Sequence, residues 1–390
     1  MTDRPNILWY CSDQQRFDTI AALGNAHINT PRFDAFAREG VAFTHAYCQS
    51  PICTPSRASF LTGTYPGANG VTGNGNEFFP HEQESRLLPH RLAKSGYDCG
   101  LVGKLHLASA AHGVENRVDD GYRYFQYSHD HRGPRVYGHD YAEWVREQGG
   151  DADGLMAPYQ TKNYREGARI ATFGGLYEPT ASTDNIPPAQ HQTRWCSEKS
   201  IEFIDKNRNE GQPWMLSVNP FDPHPPYDAP WEYYRRYDPE SLPGAHFAAG
   251  DIEQQQRLAA GGIDFQSEAK DPAEWEDKKL QASYYAMIEQ VDCEFGRILD
   301  RLEATGQREN TIIVFMSDHG EMLGDHGLVF KGCRFYEGLA RVPLIVSWPG
   351  HFSEGVVSDA LVELMDLAPT FYEAVGEEVP YYVQGKSLLP

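Results

Sequence analysis

The segment NTIIVFMSDHG, residues 310–320, contains five consecutive apolar residues and then turns polar. Such a run is typical of a strand that is buried on both faces of a parallel sheet. The longest helical pattern of the chain, at about 275–304, precedes it and ends at Gly306. The two segments therefore predict a helix followed by a core strand, with Asp318 and His319 at the end of that strand.

The same alternation of helical patterns and apolar runs continues along the chain. Helices are predicted at 30–40, 87–96 and 197–207, and strands at 6–13, 41–48, 97–104, 213–220 and 342–350. This order predicts an α/β fold with a large, mostly parallel sheet and helices on both faces. Two poorly patterned stretches, about 108–195 and 222–272, are predicted to be insertions over one edge of the sheet. Residues 1–390 are otherwise treated as one domain, because there is no internal repeat and no clear linker.

The overall charge restricts the classes of binding partner. Lys and Arg number 34 and Asp and Glu number 55, which gives a net charge of −21. A nucleic acid or an anionic membrane is therefore disfavoured, whereas a small anionic substrate needs only a local cationic pocket. The first residues, MTDRPNILWYCSDQQ, lack the apolar stretch of a secretory leader, and no apolar run is long enough to span a membrane. With seven cysteines in no framework spacing, these features predict a cytoplasmic protein with reduced thiols.

Polar residues that follow two of the predicted strands suggest a metal site. Asp13 and Gln14 follow the first predicted strand, and Asp318 and His319 follow the strand predicted within residues 310–320. Ligands of open α/β sheets bind beyond the carboxyl ends of the strands. Carboxylate and amide oxygens with one imidazole suit a divalent ion, although an aspartate at a strand end is often only a turn former.

Basic residues are expected near the same edge. Lys104 and His106 are two apart in GKLHL, so an extended backbone would point both to the same side. His224 lies in NPFDPHPPYDAP, where four prolines stiffen the loop and suit a histidine that acts as an acid or a base. Arg57 and Lys331 complete the set of candidate cations.

Cys53 begins the segment CTPSRASFLTG, which predicts a helix with Thr54 as a candidate N-cap and Pro55 in the first turn. The helix dipole and Arg57 would both stabilise an anion at Cys53, so a thiolate nucleophile is one interpretation. Half of a zinc site with Cys48 is another, but no second pair of ligands follows nearby. A thiolate beside a hard divalent metal is an unusual combination, and an oxygen nucleophile would suit such a metal better.

The segment CTPSR followed by ASFLTG resembles the signature of the type I sulfatases of the alkaline phosphatase superfamily. PNILWYCSDQQ, GYDCGLVGKLHL and SDHGEMLGDHGLVFKG resemble further motifs of that family, in the family order. The resemblance implies that Cys53 is oxidised to formylglycine (3-oxoalanine) by a formylglycine-generating enzyme. Its hydrate would attack the sulfate monoester and form a covalent sulfo-enzyme intermediate. The resemblance further implies one divalent ion, Ca²⁺ or Mn²⁺, bound by Asp13, Gln14, Cys53, Asp318 and His319.

The resemblance also assigns roles to the remaining candidates. The side chains that neutralise the charge on the sulfuryl oxygens would be Arg57, Lys104 and Lys331. His224 would protonate the departing alcohol or phenol, and His106 would take a proton from the second hydroxyl of the hydrate. Asn74 is expected either to contact the substrate or to form a turn, and Asp325 and His326 are expected to act as supporting or capping residues.

Two departures from the common pattern leave the substrate open. The pairs Asp13–Gln14 and Asp318–His319 resemble the branch with phosphonate monoester hydrolases and favour Mn²⁺, whereas Lys104 and His106 resemble the arylsulfatase pair. Alternatives are therefore a phosphonate monoester or phosphodiester hydrolase, and a non-catalytic binder of sulfated ligands. Aryl, alkyl, choline and sugar sulfates all remain candidate substrates, and a homo-oligomer is compatible with the sequence. Relatives continue beyond the point that YYVQGKSLLP resembles, so a truncated or reduced C-terminal antiparallel subdomain is expected.

Overall fold

The computed structural model describes residues 4–110, 113–130, 138–156, 186–208 and 211–390. The strands in these residues form one sheet. Their bounds are Asn6–Ser12 (β1), Val41–Tyr47 (β2), Asp98–Gly103 (β3), Tyr124–Tyr127 (β4), Trp214–Asn219 (β5), Thr311–Ser317 (β6), Arg341–Ser347 (β7) and Val356–Glu363 (β8).

The sheet is mixed, and most of its strands are parallel. The strand order is β4-β3-β5-β1-β6-β7-β2-β8, and only β7 runs antiparallel to its neighbours among the described strands. β1 lies between β5 and β6, where Leu8 is opposite Leu216 and Ile313. The predicted α/β fold with a mostly parallel sheet is confirmed, and the carboxyl ends of β1, β3, β5 and β6 share one edge.

Helices cover both faces of this sheet. Their bounds are Pro31–Arg38 (α1), Cys53–Thr62 (α2), Pro66–Asn69 (α3), Leu88–Lys94 (α4), Asp140–Glu147 (α5), Ala152–Met156 (α6), Gln192–Asn207 (α7), Trp231–Tyr234 (α8), Asp251–Ala260 (α9), Asp277–Ala304 (α10), Glu337–Ala340 (α11) and Leu367–Ala374 (α12).

The side chains of β1 alternate between two hydrophobic cores. Trp9 points to one face, where its ring centroid is 5.2 Å from those of Phe60 on α2 and Phe371 on α12. Tyr10 points to the other face and packs edge-on against Phe295 on α10 at 5.1 Å. The continuous apolar run of the central strands is therefore explained by burial on both sides.

The regions that were predicted to be insertions contain some regular structure. β4 and the helices α5 and α6 lie within 108–195, and β4 extends the sheet beyond β3. Residues 111–112, 131–137 and 157–185 of that insertion are outside the described residues, so the rest of the prediction is untested there. The segment 222–272 contains α8 and α9 and otherwise forms loops and short turns.

The C-terminal segment packs against the sheet domain. The backbone N–H of Gln384 donates to the carbonyl oxygen of Gly63 at 2.8 Å, and that of Lys386 donates to Asp366 Oδ1 at 2.7 Å. In the described part of the chain there is no second sheet beside the eight-stranded one. Among the helices of that part, none is both long and apolar enough to cross a bilayer.

Candidate active site and metal centre

The ends of β1 and β6 bring two carboxylates together at the edge of the sheet. The parallel pairing places Ser12 opposite Ser317, so the next residues, Asp13 and Asp318, are neighbours. Both side chains are fully buried. Asp318 Oδ1 accepts hydrogen bonds from the backbone N–H groups of Gln14 and His319, each at 3.0 Å. These bonds fix the two strand ends relative to each other, as the sequence predicted.

Cys53 lies at the start of α2 and points into this cluster. The helix begins at Cys53, and its N-cap is Ile52 in an extended conformation. The prediction that Thr54 is the N-cap was therefore wrong, because Thr54 already belongs to the first turn. Its backbone N–H donates instead to Asn74 Oδ1 at 3.0 Å. Asn74 thus caps the helix that carries Cys53, and its contact with a substrate stays a prediction.

Arg57, one helical turn after Cys53, links both carboxylates. Its Nε donates to Asp318 Oδ2 at 2.9 Å and its Nη2 donates to Asp13 Oδ2 at 3.1 Å. Its Nη1 donates to the carbonyl oxygen of Lys104 at 3.0 Å. Only 1% of the Arg57 side chain is exposed, so its charge is balanced inside the protein. Arg57 therefore holds the cluster together from behind Cys53.

The sulfur of Cys53 lies among basic groups. Lys331 Nζ is 2.7 Å from Cys53 Sγ, His319 Nε2 is 3.1 Å from it, and Lys104 Nζ is 3.9 Å from it. Lys104 also forms an ion pair with Asp13. Burial opposes ionisation of the Cys53 thiol, but Lys104 and Lys331 outweigh burial and lower its pKa to about 7. This position favours an anionic or strongly polarised nucleophile.

The side chains around Cys53 fit a divalent metal ion. One ligand atom from each of Asp13, Cys53, Asp318 and His319 lies within 4.8 Å of the others. Ligand atoms on opposite sides of a calcium ion are about 5 Å apart, so one ion is able to contact all four. Two buried carboxylates and an imidazole form a donor set for Mn²⁺ or Ca²⁺.

The orientation of His319 agrees with a role as ligand. Its Nδ1 is 2.9 Å from the carbonyl oxygen of Gly320, which can only accept, so Nδ1 carries a proton. Nε2 then faces Cys53 and the carboxylates, as in histidines that bind metals through Nε2. Gln14 Oε1 also faces the cluster and accepts from Lys331 Nζ at 2.8 Å.

His106 and His224 flank the cluster on the side of β3 and β5. His106 is buried, and its backbone N–H donates to Glu115 Oε2 at 2.7 Å. Burial lowers the pKa of His106 well below 6.5, and the nearby cations Lys104 and Arg57 lower it further. The imidazole of His106 is therefore neutral at physiological pH and able to accept a proton.

His224 is half-buried on the loop that follows β5. Its ring packs at 4.4 Å from the ring of Phe221, and Lys104 Nζ lies 5.2 Å from that same ring. Asp222, two residues before His224, reaches the cluster with its backbone only. Its backbone oxygen does so by accepting from Asp13 N at 3.2 Å, but its side chain binds Thr193 Oγ1 at 2.7 Å instead.

Several of the other expectations also have a clear outcome. Asp325 forms a 2.8 Å ion pair with Arg16, so it supports the neighbouring loop and is not a ligand. Cys48 donates to the carbonyl oxygen of Leu339 at 3.8 Å and is absent from the metal-ligand group of the described residues, which removes the zinc alternative. All seven cysteines are free thiols.

Two buried carboxylates of the site were missed by the sequence analysis. Glu115 accepts hydrogen bonds from the backbone N–H groups of His106 and Leu107. Glu321 accepts a hydrogen bond from the side-chain amide of Gln14. The signal that could have identified Glu321 is its position three residues after Asp318, in the same strand-end loop.

Comparison with known proteins assigns the family. A family model described as Sulfatase matches residues 5–377. The chain belongs to the sulfatase family.

Individual relatives agree with this assignment. An arylsulfatase of Clostridium perfringens is 31% identical over 99% of this chain and 78% of its own length. A choline-sulfatase of Rhizobium meliloti is 29% identical over all of this chain and 72% of its own length. The crystal structure of a phosphonate monoester hydrolase from Agrobacterium radiobacter has a TM-score of 0.76 and 26% identity, over 99% of this chain and 76% of that one. The predicted sulfatase fold and the resemblance to the superfamily are thus confirmed, and the sulfatase relatives are hydrolases of sulfate esters by name.

Proposed function

We propose that this sulfatase-family protein hydrolyses sulfate monoesters with formylglycine, formed from Cys53, as its nucleophile. The observation that carries the proposal is the position of Cys53, which lies 3.1 Å from His319 and 2.7 Å from Lys331 beside two buried carboxylates. A formylglycine-generating enzyme would be the maturation partner. The ligands of one Ca²⁺ or Mn²⁺ ion would be Asp13, Gln14, Asp318, His319 and residue 53.

The divalent ion would supply a Lewis acid, and formylglycine would supply an oxygen nucleophile. The unmodified side chains lack both. Lys104 and Lys331, both buried, would bind the negative sulfuryl oxygens near residue 53. Arg57 would act mainly through Asp13 and Asp318, because all three of its hydrogen bonds go to protein groups. It would keep the carboxylates in place while adding a positive charge behind the reacting group.

The two histidines would transfer protons in different steps, His224 to the departing alcohol and His106 during the release of sulfate. His224 is the more exposed of the two and lies on a loop beyond Lys104, where a departing alcohol would need a proton. His106 is neutral and buried, so it would accept a proton near residue 53 when sulfate is released.

The test is to compare the wild-type protein and the Cys53→Ala variant after expression with a formylglycine-generating enzyme. Mass spectrometry of the peptide with residue 53 should show formylglycine in the wild type only. Turnover of 4-nitrophenyl sulfate should fall to the uncatalysed level in Cys53→Ala, whereas the matched control Cys293→Ala, at an exposed cysteine of α10, should keep it. Unchanged turnover in a folded Cys53→Ala variant would contradict the proposal, and tight binding of sulfate esters without turnover in the wild type would favour a non-catalytic binder.

A phosphonate monoester or phosphodiester hydrolase is the second candidate. Its support is the imidazole of His319 in the ligand set and the similarity to two phosphonate monoester hydrolases, with TM-scores of 0.76 and 0.77. Sulfate monoesters and phosphonate monoesters are both monoanionic tetrahedral groups, so one site is able to process both. The values of kcat/KM for 4-nitrophenyl sulfate and for a phenylphosphonate monoester would rank the two activities.

A further inference from the structure

Glu321 is a buried carboxylate directly behind the proposed metal site. Its side chain is fully buried, and it forms no ion pair with Lys or Arg in the described part of the chain. Three N–H donors satisfy it instead. Its Oε2 accepts from Gln14 Nε2, and its Oε1 accepts from the backbone N–H groups of Leu323, at 3.1 Å, and Phe330.

The contacts on the two sides of Gln14 define how its amide is oriented. Lys331 Nζ can only donate, so the atom that faces it at 2.8 Å must be the amide oxygen. The Glu321 carboxylate can only accept, so the atom that faces it must be the amide nitrogen. Both contacts give the same orientation, in which Oε1 points to the cluster around Cys53.

The same carboxylate also contacts three residues with a strained backbone, two of them through their backbone N–H groups and Gln14 through its side chain. Gln14, Leu323 and Phe330 have φ angles of 69°, 51° and 71°, in the left-handed region that side chains other than glycine seldom adopt. Glu321 accepts a hydrogen bond from each of these residues. Since Phe330 immediately precedes Lys331, Glu321 links the loop of the first metal-ligand pair with the lysine that contacts Cys53.

We propose that Glu321 is a positioning residue that selects glutamine at position 14 and turns its oxygen towards the metal. An acidic residue at position 14 would bring two carboxylates into contact, whereas the amide of Gln14 donates to Glu321 and keeps its oxygen for the cluster. Glu321 therefore accounts for the departure Asp13–Gln14 from the paired acids of many sulfatases. The inference rests on the proposed function, since it presupposes the metal site.

The proposal predicts which atom residue 14 presents to the metal when the amide and the carboxylate of positions 14 and 321 are exchanged. In Glu321→Gln, the new amide oxygen would keep the N–H groups of Leu323 and Phe330, and its NH₂ would face the NH₂ of Gln14. The amide of Gln14 would then rotate and present nitrogen to the metal. In the double variant Gln14→Glu/Glu321→Gln, the NH₂ of residue 321 would donate to the new carboxylate, which again presents oxygen to the metal.

The experiment measures Mn²⁺ binding by isothermal titration calorimetry with the unmodified Cys53 protein, so that it does not depend on turnover. Wild type should bind one Mn²⁺ per chain, Glu321→Gln should bind it at least about tenfold more weakly, and the double variant should return to within about threefold of wild type. Gln14→Glu alone closes the cycle, and because its carboxylate would meet that of Glu321, any change in its Mn²⁺ affinity should be too small to explain the recovery. Glu289→Gln, which alters a buried carboxylate that binds Asn29, Arg236 and Tyr237, is the matched control and should bind like wild type.

Each outcome separates the inference from the proposed function. No Mn²⁺ binding to the wild type would contradict the proposed metal site itself. Wild-type affinity in Glu321→Gln, or a double variant whose affinity is only the product of the two single effects, would overturn the role of Glu321 while the metal site stands. If Glu321→Gln does not fold by circular dichroism, the comparison of the double variant with Gln14→Glu decides, because only a positioning role makes glutamine at 321 favourable when glutamate is at 14.

Discussion

Removal of the Arg57 side chain is the perturbation whose cost is best defined by the structure. Arg57→Ala deletes three hydrogen bonds, of 2.9, 3.0 and 3.1 Å, to Asp318, Lys104 and Asp13. Asp13 keeps Lys104 as a partner, but Asp318 loses its one ion pair with Arg or Lys in the described part of the chain. Because removal of one partner from a buried ion pair leaves an uncompensated charge, we expect a loss of about 3–5 kcal/mol.

This loss converts into a measurable shift of the unfolding temperature. An unfolding entropy of about 2.1 cal/mol/K per residue gives about 0.8 kcal/mol/K for a chain of this size. The expected decrease of the midpoint is therefore about 4–6 °C. The assay is thermal unfolding by circular dichroism with chelator present, so that no metal replaces the missing positive charge.

Arg301→Ala provides the matched control for this measurement. Arg301 forms an ion pair with Asp205 in which the side chains are 38% and 39% exposed. Solvent screens such pairs, so its removal should cost less than about 1 kcal/mol, or about 1 °C. If Arg57→Ala lowers the midpoint no more than Arg301→Ala does, Arg57 does not hold the cluster together.

Three further predictions concern proton transfer, pH and packing. His224→Ala should slow an alkyl sulfate more than 4-nitrophenyl sulfate, since only the poor leaving group needs a proton, and equal losses would contradict its role as the acid. Burial raises the pKa of Asp292 from 3.8 to about 7, so its contribution to stability is complete below pH 4 and is lost as the pH rises through 7. Urea unfolding should therefore lose up to about 4 kcal/mol over this range in wild type and less in Asp292→Asn, whereas equal pH dependence would refute the assignment. Gly320→Ala should destabilise the protein strongly because its Cβ would lie 1.9 Å from the carbonyl oxygen of Gly338, whereas Gly67→Ala has no atom within 4 Å and should be neutral.

The sequence was sufficient to predict the central strands but not the edges of the sheet. β6 was visible because all of its residues are buried, and this gives a continuous apolar run. The edge strand β8 has no such signal, since Val357 and Leu361 are 61% and 79% exposed and no second layer imposes a pattern. The four-residue strand β4 is too short to be distinguished from a loop. Strand prediction therefore failed where pairing alone defines the strand, as in β4 and β8.

The site was predictable as far as it follows from strand ends. Asp13 and Asp318 are adjacent because β1 and β6 are parallel neighbours, a property of the topology. The position of Glu321 three residues after Asp318 indicates that it is near the site, but its hydrogen bonds were not predictable, because they depend on the left-handed turns that bring Leu323 and Phe330 back to its carboxylate. Such contacts arise from packing of the loop and leave no periodic pattern in the sequence.

The buried charges explain how a protein with a net charge of −21 would attract an anionic substrate. Three cations and three carboxylates are buried in this region, namely Arg57, Lys104 and Lys331, and Asp13, Asp318 and Glu321, of which Glu321 reaches the others only through Gln14. These six charges sum to zero, and a divalent ion would add two positive charges to them. Surface charges are screened beyond about 8 Å at physiological salt, but buried ones are screened much less, so this local charge would prevail at the site. The ion would therefore be required to bind the sulfate ester as well as to activate the nucleophile, and removal of metal should raise KM together with lowering kcat.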